Sequence, residues 1–163
     1  MTGLVYGWGP RDDSAMVRMY YPESITKVQV TKSPEEVAKG LEMVTKLMKY
    51  TNIVGTAEAT AFAKYLNADM TQFYDLVTKA AGGSKMFNAL APVMAKDVPT
   101  GPAPAGTQSI DEIVKELSEI VQVARDLYCP LNLATEALTQ YLVAQRRGWG
   151  AEASTSIIRV WEN

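Results

Sequence analysis

Histidine is absent from the 163 residues, and cysteine occurs once, as Cys129. Neither a Ser-His-Asp nor a Cys-His arrangement can therefore be built from this chain. Histidine-based zinc and iron sites go the same way, and one thiol cannot replace them, so no metal is expected. One cysteine also excludes an internal disulfide. No surplus of positive charge exists: Lys and Arg number 16 against 18 Asp and Glu, a net charge of −2. That balance argues against nucleic acid as a partner, because binding phosphates needs concentrated cations. Apolar runs are all shorter than the ~20 residues of a membrane span, so no membrane partner is expected. The start, Met1-Thr2-Gly3-Leu4, lacks a basic segment followed by an apolar one, so a cytoplasmic location is expected. Gly-x-Gly-x-x-Gly and Gly-x-x-x-x-Gly-Lys-Ser/Thr are missing too. Gly7-Trp8-Gly9 runs into Pro10-Arg11 and fits neither loop.

What is present divides at about residue 32. Leu4-Val5-Tyr6 and Lys27-Val28-Gln29-Val30 read as short strands. Between them, Asp13 or Ser14 can cap a short helix ending before Pro22. From Ser33 onward the pattern is helical. Ser33-Pro34-Glu35-Glu36 combines an N-cap serine, a first-turn proline and a glutamate that returns the capping bond. Val37, Leu41, Val44, Met48, Thr51, Gly55, Glu58, Phe62 and Leu66 then recur mostly three or four apart, which predicts one helix of about thirty residues. Gly55, Ala57, Ala59 and Ala61 make its middle small-sided, as suits the axis of a bundle. Asp69 opens a further helix, Gly82-Gly83 ends it, and Ser84 starts another. Residues 97–108 hold three prolines and two glycines and read as an exposed loop. Ser109-Ile110-Asp111-Glu112 is another capping box. Ile113, Leu117, Ile120, Val121 and Leu127 share one face of the helix it opens, which stops before Pro130. A last pair, Leu131–Arg147 and Ser154–Trp161, hinges at Gly148-Trp149-Gly150.

Several segments together resemble one family. Gly55-Thr56-Ala57-Glu58-Ala59, the stretch from Tyr74 to Ser84, Val114-Lys115-Glu116-Leu117, and Cys129-Pro130-Leu131 with Gly148-Trp149-Gly150 resemble the β-hydroxyacid dehydrogenases of 3-hydroxyisobutyrate and L-threonate dehydrogenase type. The resemblance implies a mainly α fold: the C-terminal helical bundle of 6-phosphogluconate dehydrogenase type around one long helix. It implies two parts, a strand-helix-strand remnant of a Rossmann domain over 1–32 and an all-α domain over 33–163. It also implies a homodimer, since family members pair through the helical domain.

The same resemblance assigns residues. The family's catalytic lysine, counted back from Glu58, falls at Glu42, and the polar residue one turn on falls at Thr45 or Lys46. An acidic position near the end falls at Ala153 or Ser154. Gly82, Gly83 and Ser84 match the segment that helps hold a substrate carboxylate, and Lys115 a lysine near the coenzyme. With no glycine fingerprint and no lysine at 42, the expectation is a cofactor-independent enzyme. It would carry out isomerisation, cyclisation, dehydration or lyase chemistry on an oxygenated or carboxylated metabolite. Glu42 would move the proton, aided by Lys46 and Lys115, with Gly82, Gly83, Ser84, Lys49 and Trp149 binding substrate. Glu42 borders the apolar stripe, so a surviving cleft would desolvate it; otherwise it is a solvated partner of Lys46. Gly82-Gly83-Ser84 reads equally as a helix break with a serine cap, and Lys115 as a solvated helix residue. Trp8, Trp149, Tyr20 and Tyr21 either line an aromatic pocket or seal a subunit interface. Cys129 reads as a buried apolar residue rather than a nucleophile. The alternatives to a cofactor-free enzyme are a non-catalytic dimeric scaffold and the helical half of a split NAD(P)-dependent hydroxyacid dehydrogenase.

Overall fold

A computed structural model describes residues 33–96, 98 and 100–162 of the chain. The two strands, the short helix and the aromatics expected before Thr31 lie outside the described residues. The chain divides into two units after Ala38, and the account below concerns Lys39 onward together with the turn that starts the first helix.

That helix, α1, spans Pro34–Tyr65, 32 residues. Its start is the expected capping box: Ser33 Oγ accepts from Glu36 N at 3.3 Å, and Glu36 Oε2 accepts from Ser33 N at 2.7 Å. Tyr50, Ile53, Val54, Ala57 and Ala61 are its buried face, at the three- and four-residue spacing of one helix side. The stripe read from the sequence is a different one. Leu41, Val44, Met48 and Phe62 are all more than half exposed, and at 100° per residue they lie on the side opposite Tyr50 and Ala57. Periodicity was right about the helix and silent about which of two apolar faces meets the core.

Helix α2 (Met70–Lys79) is capped by Asp69, whose carboxylate accepts from Gln72 N at 2.8 Å. Helix α3 (Lys85–Met94) is capped by Ser84, whose Oγ accepts from Phe87 N at 3.0 Å. The two pack through Phe87, which meets Phe73 edge-on at 5.5 Å and stacks with Tyr74 at 5.9 Å. Gly82-Gly83 does not act as the left-handed cap the sequence suggested: α2 has already ended at Ala80, and neither glycine has positive φ. Gly83 is needed for space instead, because a Cβ there would stand 2.8 Å from the Val77 carbonyl oxygen.

Helix α4 (Ile110–Asp126) carries the reciprocal box of Ser109 and Glu112. It buries Ile110, Ile113, Leu117, Ile120 and Ala124 against α1 and α5 (Asn132–Ala144). Val121 is only half-buried and Leu127 is exposed, so the expected face fades at its C-terminal end. Tyr128 then takes positive φ, 55°, ahead of Pro130. Cys129, expected to be buried, is an exposed free thiol on this turn. α5 brings in Ala134, Ala137, Tyr141 and Ala144, small residues that admit close approach around one large phenol. It runs into a π turn over Gln145–Trp149, and a 3₁₀ helix over Ser154–Val160 closes the bundle with Ile157 and Ile158. Among the described residues no strand occurs, and the mainly helical class is as expected.

The loop before α4 is not loose. Ala103 N donates to Ala151 O (2.8 Å), Ile110 N to Glu152 O (3.0 Å), Asp111 N to Gly150 O (2.8 Å) and Ser154 N to Gln108 O (3.1 Å). Gly148, at φ 86° and ψ 13°, makes the reversal that brings the 150–154 segment alongside. A side chain there meets the left-handed penalty of about 1–2 kcal/mol. Gly148→Ala is therefore expected to lower the unfolding free energy by about that amount in urea titration. Gly40→Ala, in mid-helix with nothing within 4 Å of the added carbon, should raise it by about 0.5–1 kcal/mol.

Candidate functional site

Four residues of α1, Glu42, Lys46, Lys49 and Tyr50, fall within about two and a half turns and on adjacent positions of one side. Opposite them stand Glu116 of α4 and Gln108, held in the loop before α4 by the backbone bond to Ser154. Their polar atoms form one continuous chain. Lys46 Nζ lies 3.1 Å from Glu42 Oε1 and 3.1 Å from Glu116 Oε1. Tyr50 Oη donates to Glu116 Oε2. Gln108 Nε2 donates both to Tyr50 Oη at 3.0 Å and to Glu116 Oε2 at 3.1 Å. Gln108 Oε1 accepts from Lys49 Nζ at 2.6 Å. From α5, Tyr141 Oη donates to the Tyr50 carbonyl at 3.2 Å and fixes that turn of α1 from behind.

The protonation states follow from these contacts. Lys46 is held well above the usual lysine range, first by its bond to Glu42 and then by Glu116. Burial works to raise Glu116, but the hydrogen bonds from Tyr50, Lys46 and Gln108 outweigh it and hold the carboxyl below its usual range. Tyr50 is pushed up to about 12, chiefly by burial and then by the anionic Glu116. Tyr141 is raised by burial, and to a lesser degree by Tyr50. At neutral pH the seam thus holds a carboxylate, a neutral phenol and an ammonium in a fixed pattern.

A cavity of about 160 Å³ opens beside this seam, between Glu42, Lys46, Glu116 and Glu119 over Met43 and Ile120. A larger one, about 490 Å³, lies between α1 and α5, with Met48, Asn52, Gly55 and Glu58 facing Leu133, Glu136 and Gln140. The smaller cavity is the candidate site, because the bonded titratable groups converge there. The larger is an open, mostly apolar groove on the outer side of α1.

Of the residues singled out in the sequence, Glu42, Lys46 and Lys49 are gathered into the seam. Glu42 is not the desolvated acid of a closed cleft: its side chain is 65% exposed and paired with Lys46. Lys115 precedes Glu116 but is turned about 100° away from it, exposed on α4. Gly82, Gly83 and Ser84 form the turn between α2 and α3, with the serine hydroxyl committed to capping. Trp149 sits in the π turn, half-buried, with the Arg159 guanidinium 4.2 Å and that of Arg147 5.3 Å from its ring centre. Sequence reasoning missed Tyr50, Gln108 and Glu116. Glu116 stands three residues after Ile113 and four before Ile120, at the margin of the buried stripe, and that spacing was the available signal. Among the described residues no cluster of His, Cys, Asp and Glu could hold a metal, and no helix is long and apolar enough to cross a membrane.

Comparison with known proteins places this arrangement. Residues 38–161 match the family model described as the NAD-binding domain of NADP-dependent 3-hydroxyisobutyrate dehydrogenase. The L-threonate dehydrogenase of Haemophilus influenzae is 30% identical over 139 residues, covering 83% of this chain and 44% of that protein. That of Escherichia coli K12 is 31% identical over 122 residues, covering 74% and 38%. Among solved structures, 3-hydroxyisobutyrate dehydrogenase from Salmonella typhimurium superposes with a TM-score of 0.67 at 30% identity, covering 74% of this chain and 41% of that one. The chain thus spans less than half the length of the relatives it matches.

These relatives overturn the expected chemistry. Isomerisation, cyclisation, dehydration or lyase activity without a cofactor has no counterpart among proteins that are dehydrogenases, matched through a domain described by its NAD binding. The inference failed because it treated the missing glycine fingerprint and the glutamate at 42 as a change of reaction. The match covers residues 38–161 here and less than half of each relative, so a motif missing from this stretch does not signal a different reaction. Through its helical domain the chain belongs to the 3-hydroxyisobutyrate dehydrogenase family.

Proposed function

We propose that this chain supplies the helical, substrate-side half of an NAD(P)-dependent hydroxyacid dehydrogenase acting on a small hydroxycarboxylate of the L-threonate kind. The observation that carries the reading is the family match over 38–161, with the polar seam of α1 and α4 inside it. The residues here do not fit the coenzyme's pyrophosphate. That group needs a Gly-x-Gly-x-x-Gly turn leading into a helix, the sequence has no such fingerprint, and the first N–H groups of α4 are taken by Glu152 O, Gly150 O and Ser109 Oγ. Pyrophosphate binding is therefore assigned to a Rossmann half, whether on the same polypeptide or another. Within the seam, Lys46 is fixed as a cation by its two carboxylates and lends positive charge without accepting a proton. Glu42, exposed at the mouth of the small cavity, is the group placed to exchange one with a substrate hydroxyl. The exposed free thiol of Cys129 suits a reducing cytoplasm.

A homodimer is part of the same proposal, and the outer face of α1 supports it. Two copies laid antiparallel about the Thr51–Asn52 midpoint would set Met48 against Gly55, Leu41 against Phe62 and Val44 against Ala59. Each large side chain then meets a smaller or complementary one, as a two-fold interface requires. Leu41→Asp with Met48→Asp is expected to convert a sedimenting dimer to monomer while the helical circular dichroism is kept. A wild-type chain that sediments as a monomer would remove the dimer from the proposal.

Calorimetric titration with L-threonate tests the functional reading. Binding that weakens in Glu42→Gln is the expected result, and absence of binding to L-threonate and 3-hydroxyisobutyrate alike would overturn it. The seam also fixes a pH dependence. Glu116, depressed when folded, contributes stability above the ordinary carboxylate range and loses it as pH falls through its lowered value. Tyr50, raised from 10.0 to about 12, contributes below pH 10 and loses that contribution as pH rises toward 12. Tyr50→Phe is therefore expected to cost about 1.5–3 kcal/mol at neutral pH, as a lost bond to a charged group. The same change should make the fall of melting temperature above pH 10 shallower, Tyr141 and Lys46 carrying what remains.

A further inference from the structure

Two lysines of α1, Lys46 and Lys49, stand in the seam, and the contacts treat them differently. Lys46 is bracketed by Glu42 and Glu116, so its charge is more than neutralised by the groups that hold it. Lys49, one turn nearer the bundle's middle and half-buried, has no carboxylate partner among the described residues. Its ammonium donates once, to Gln108 Oε1 at 2.6 Å, and lies 5.7 Å from the centre of the Tyr50 ring. Two of its three N–H donors are left for other use.

The amide that holds it cannot turn over freely. Gln108 Nε2 faces two acceptors, Tyr50 Oη and Glu116 Oε2, and a flip would set its carbonyl oxygen against the Glu116 carboxylate. Oε1 is thereby pointed at Lys49 for as long as Glu116 stays ionised, which the donors around it ensure. From behind, the Gln108 backbone is tied to Ser154 at 3.1 Å. A cation held by a neutral, oriented dipole keeps its full charge for an incoming anion and gives up little side-chain freedom on binding it.

We propose that Lys49, a member of the polar seam outside the lining of the small cavity, is the seam's anion-receiving group and takes the carboxylate of the small hydroxyacid, with Gln108 as its positioning residue and Lys46 as fixed structure. This rests on the hydroxyacid reading above, and it names which cation of the seam meets the substrate. No bond is made or broken in the step: a carboxylate oxygen replaces water on two ammonium N–H groups.

The experiment is a titration of the full chain, followed by the side-chain amide signal of Gln108 in nitrogen–proton correlation spectra. The probes are L-threonate, succinate as a carboxylate without a hydroxyl, and threitol as a polyol without a carboxylate. L-threonate and succinate are expected to shift the Gln108 signal, and threitol to leave it in place. Lys49→Met should weaken both shifts by about tenfold or more, the scale of a charge-assisted hydrogen bond. Lys49→Arg should restore part of them, and Lys79→Met, removing an exposed charge on α2, should change nothing. Shifts by L-threonate of equal affinity in wild type and Lys49→Met would overturn the assignment while leaving the hydroxyacid reading intact. Lys49-dependent shifts by succinate but none by L-threonate would support the anion site and sink the hydroxyacid reading instead. No Gln108 shift with either carboxylate would overturn the assignment outright. Melting curves of each variant separate loss of binding from loss of fold.

Discussion

A carboxylate set between two packed helices must find donors, and Glu116 finds three: the Tyr50 phenol, the Lys46 ammonium and the Gln108 amide. Left unmatched, a charge in that position would cost several kcal/mol or take up a proton. Meeting the requirement fixes much else. Tyr50 has to be buried with its hydroxyl toward α4, which sets the rotation of α1 about its own axis. Gln108 has to reach inward from the loop, which holds because residues 103–111 are bonded to the 150–154 segment behind them. Gly148 makes that segment's approach possible by taking a conformation other residues avoid. The reversal near the C-terminus and the polar seam are thus one mechanical unit, joined through a single glutamine.

The rotation of α1 explains why a helix of this length has two apolar sides. One, centred on Tyr50, Ile53, Ala57 and Ala61, is consumed by α4 and α5. The other, Leu41 through Phe62, is left more than half exposed at Leu41, Val44, Met48 and Phe62. A row of exposed leucine, valine, methionine and phenylalanine along a helix is more than scattered surface apolarity, and such patches mark contact surfaces. The polar groups of the seam occupy the flank between the two faces. Burial behind them leaves them rigid, and openness in front leaves them accessible, which is the combination a binding site needs.

The helices and their starts were readable because capping is local chemistry. Ser33, Asp69, Ser84 and Ser109 each accept the bond that their sequence context predicted. The long helix was readable from its spacing as well. What spacing could not deliver was a choice between two apolar stripes, since Val37-Leu41-Val44-Met48 and Tyr50-Ile53-Ala57-Ala61 are equally periodic. The first stripe is the exposed one, and Tyr50 lies on the second. Gln108 was hidden for another reason. It ends a stretch rich in proline and glycine, and its inward reach depends on bonds to residues more than forty positions away. Glu42 and Lys46 were legible through the resemblance counted back from Glu58, and Lys49 as their neighbour on the same helix, whereas Gln108 and Glu116 come from elsewhere in the chain.

The glutamate at position 42 looks at first like the loss of a catalytic group, yet the geometry around it carries another consequence. A lysine flanked by two carboxylates is a poor acid and a poor base near neutrality, because both neighbours stabilise its charged form. Lys46 therefore cannot take over proton transfer merely by standing one turn away. The carboxylate of Glu42 is placed differently, mostly solvated at the cavity mouth and paired, among the described residues, with Lys46 alone. Under the proposed function, oxidation of a hydroxyacid would release one proton and one hydride, and the seam would concern the proton alone. On the reading proposed above, an anionic acceptor would leave Lys46 as fixed charge and Lys49 for the substrate's own carboxylate. The glutamate at 42 is thereby compatible with the proposed hydroxyacid oxidation, its charges redistributed along α1, and calls for no separate reaction.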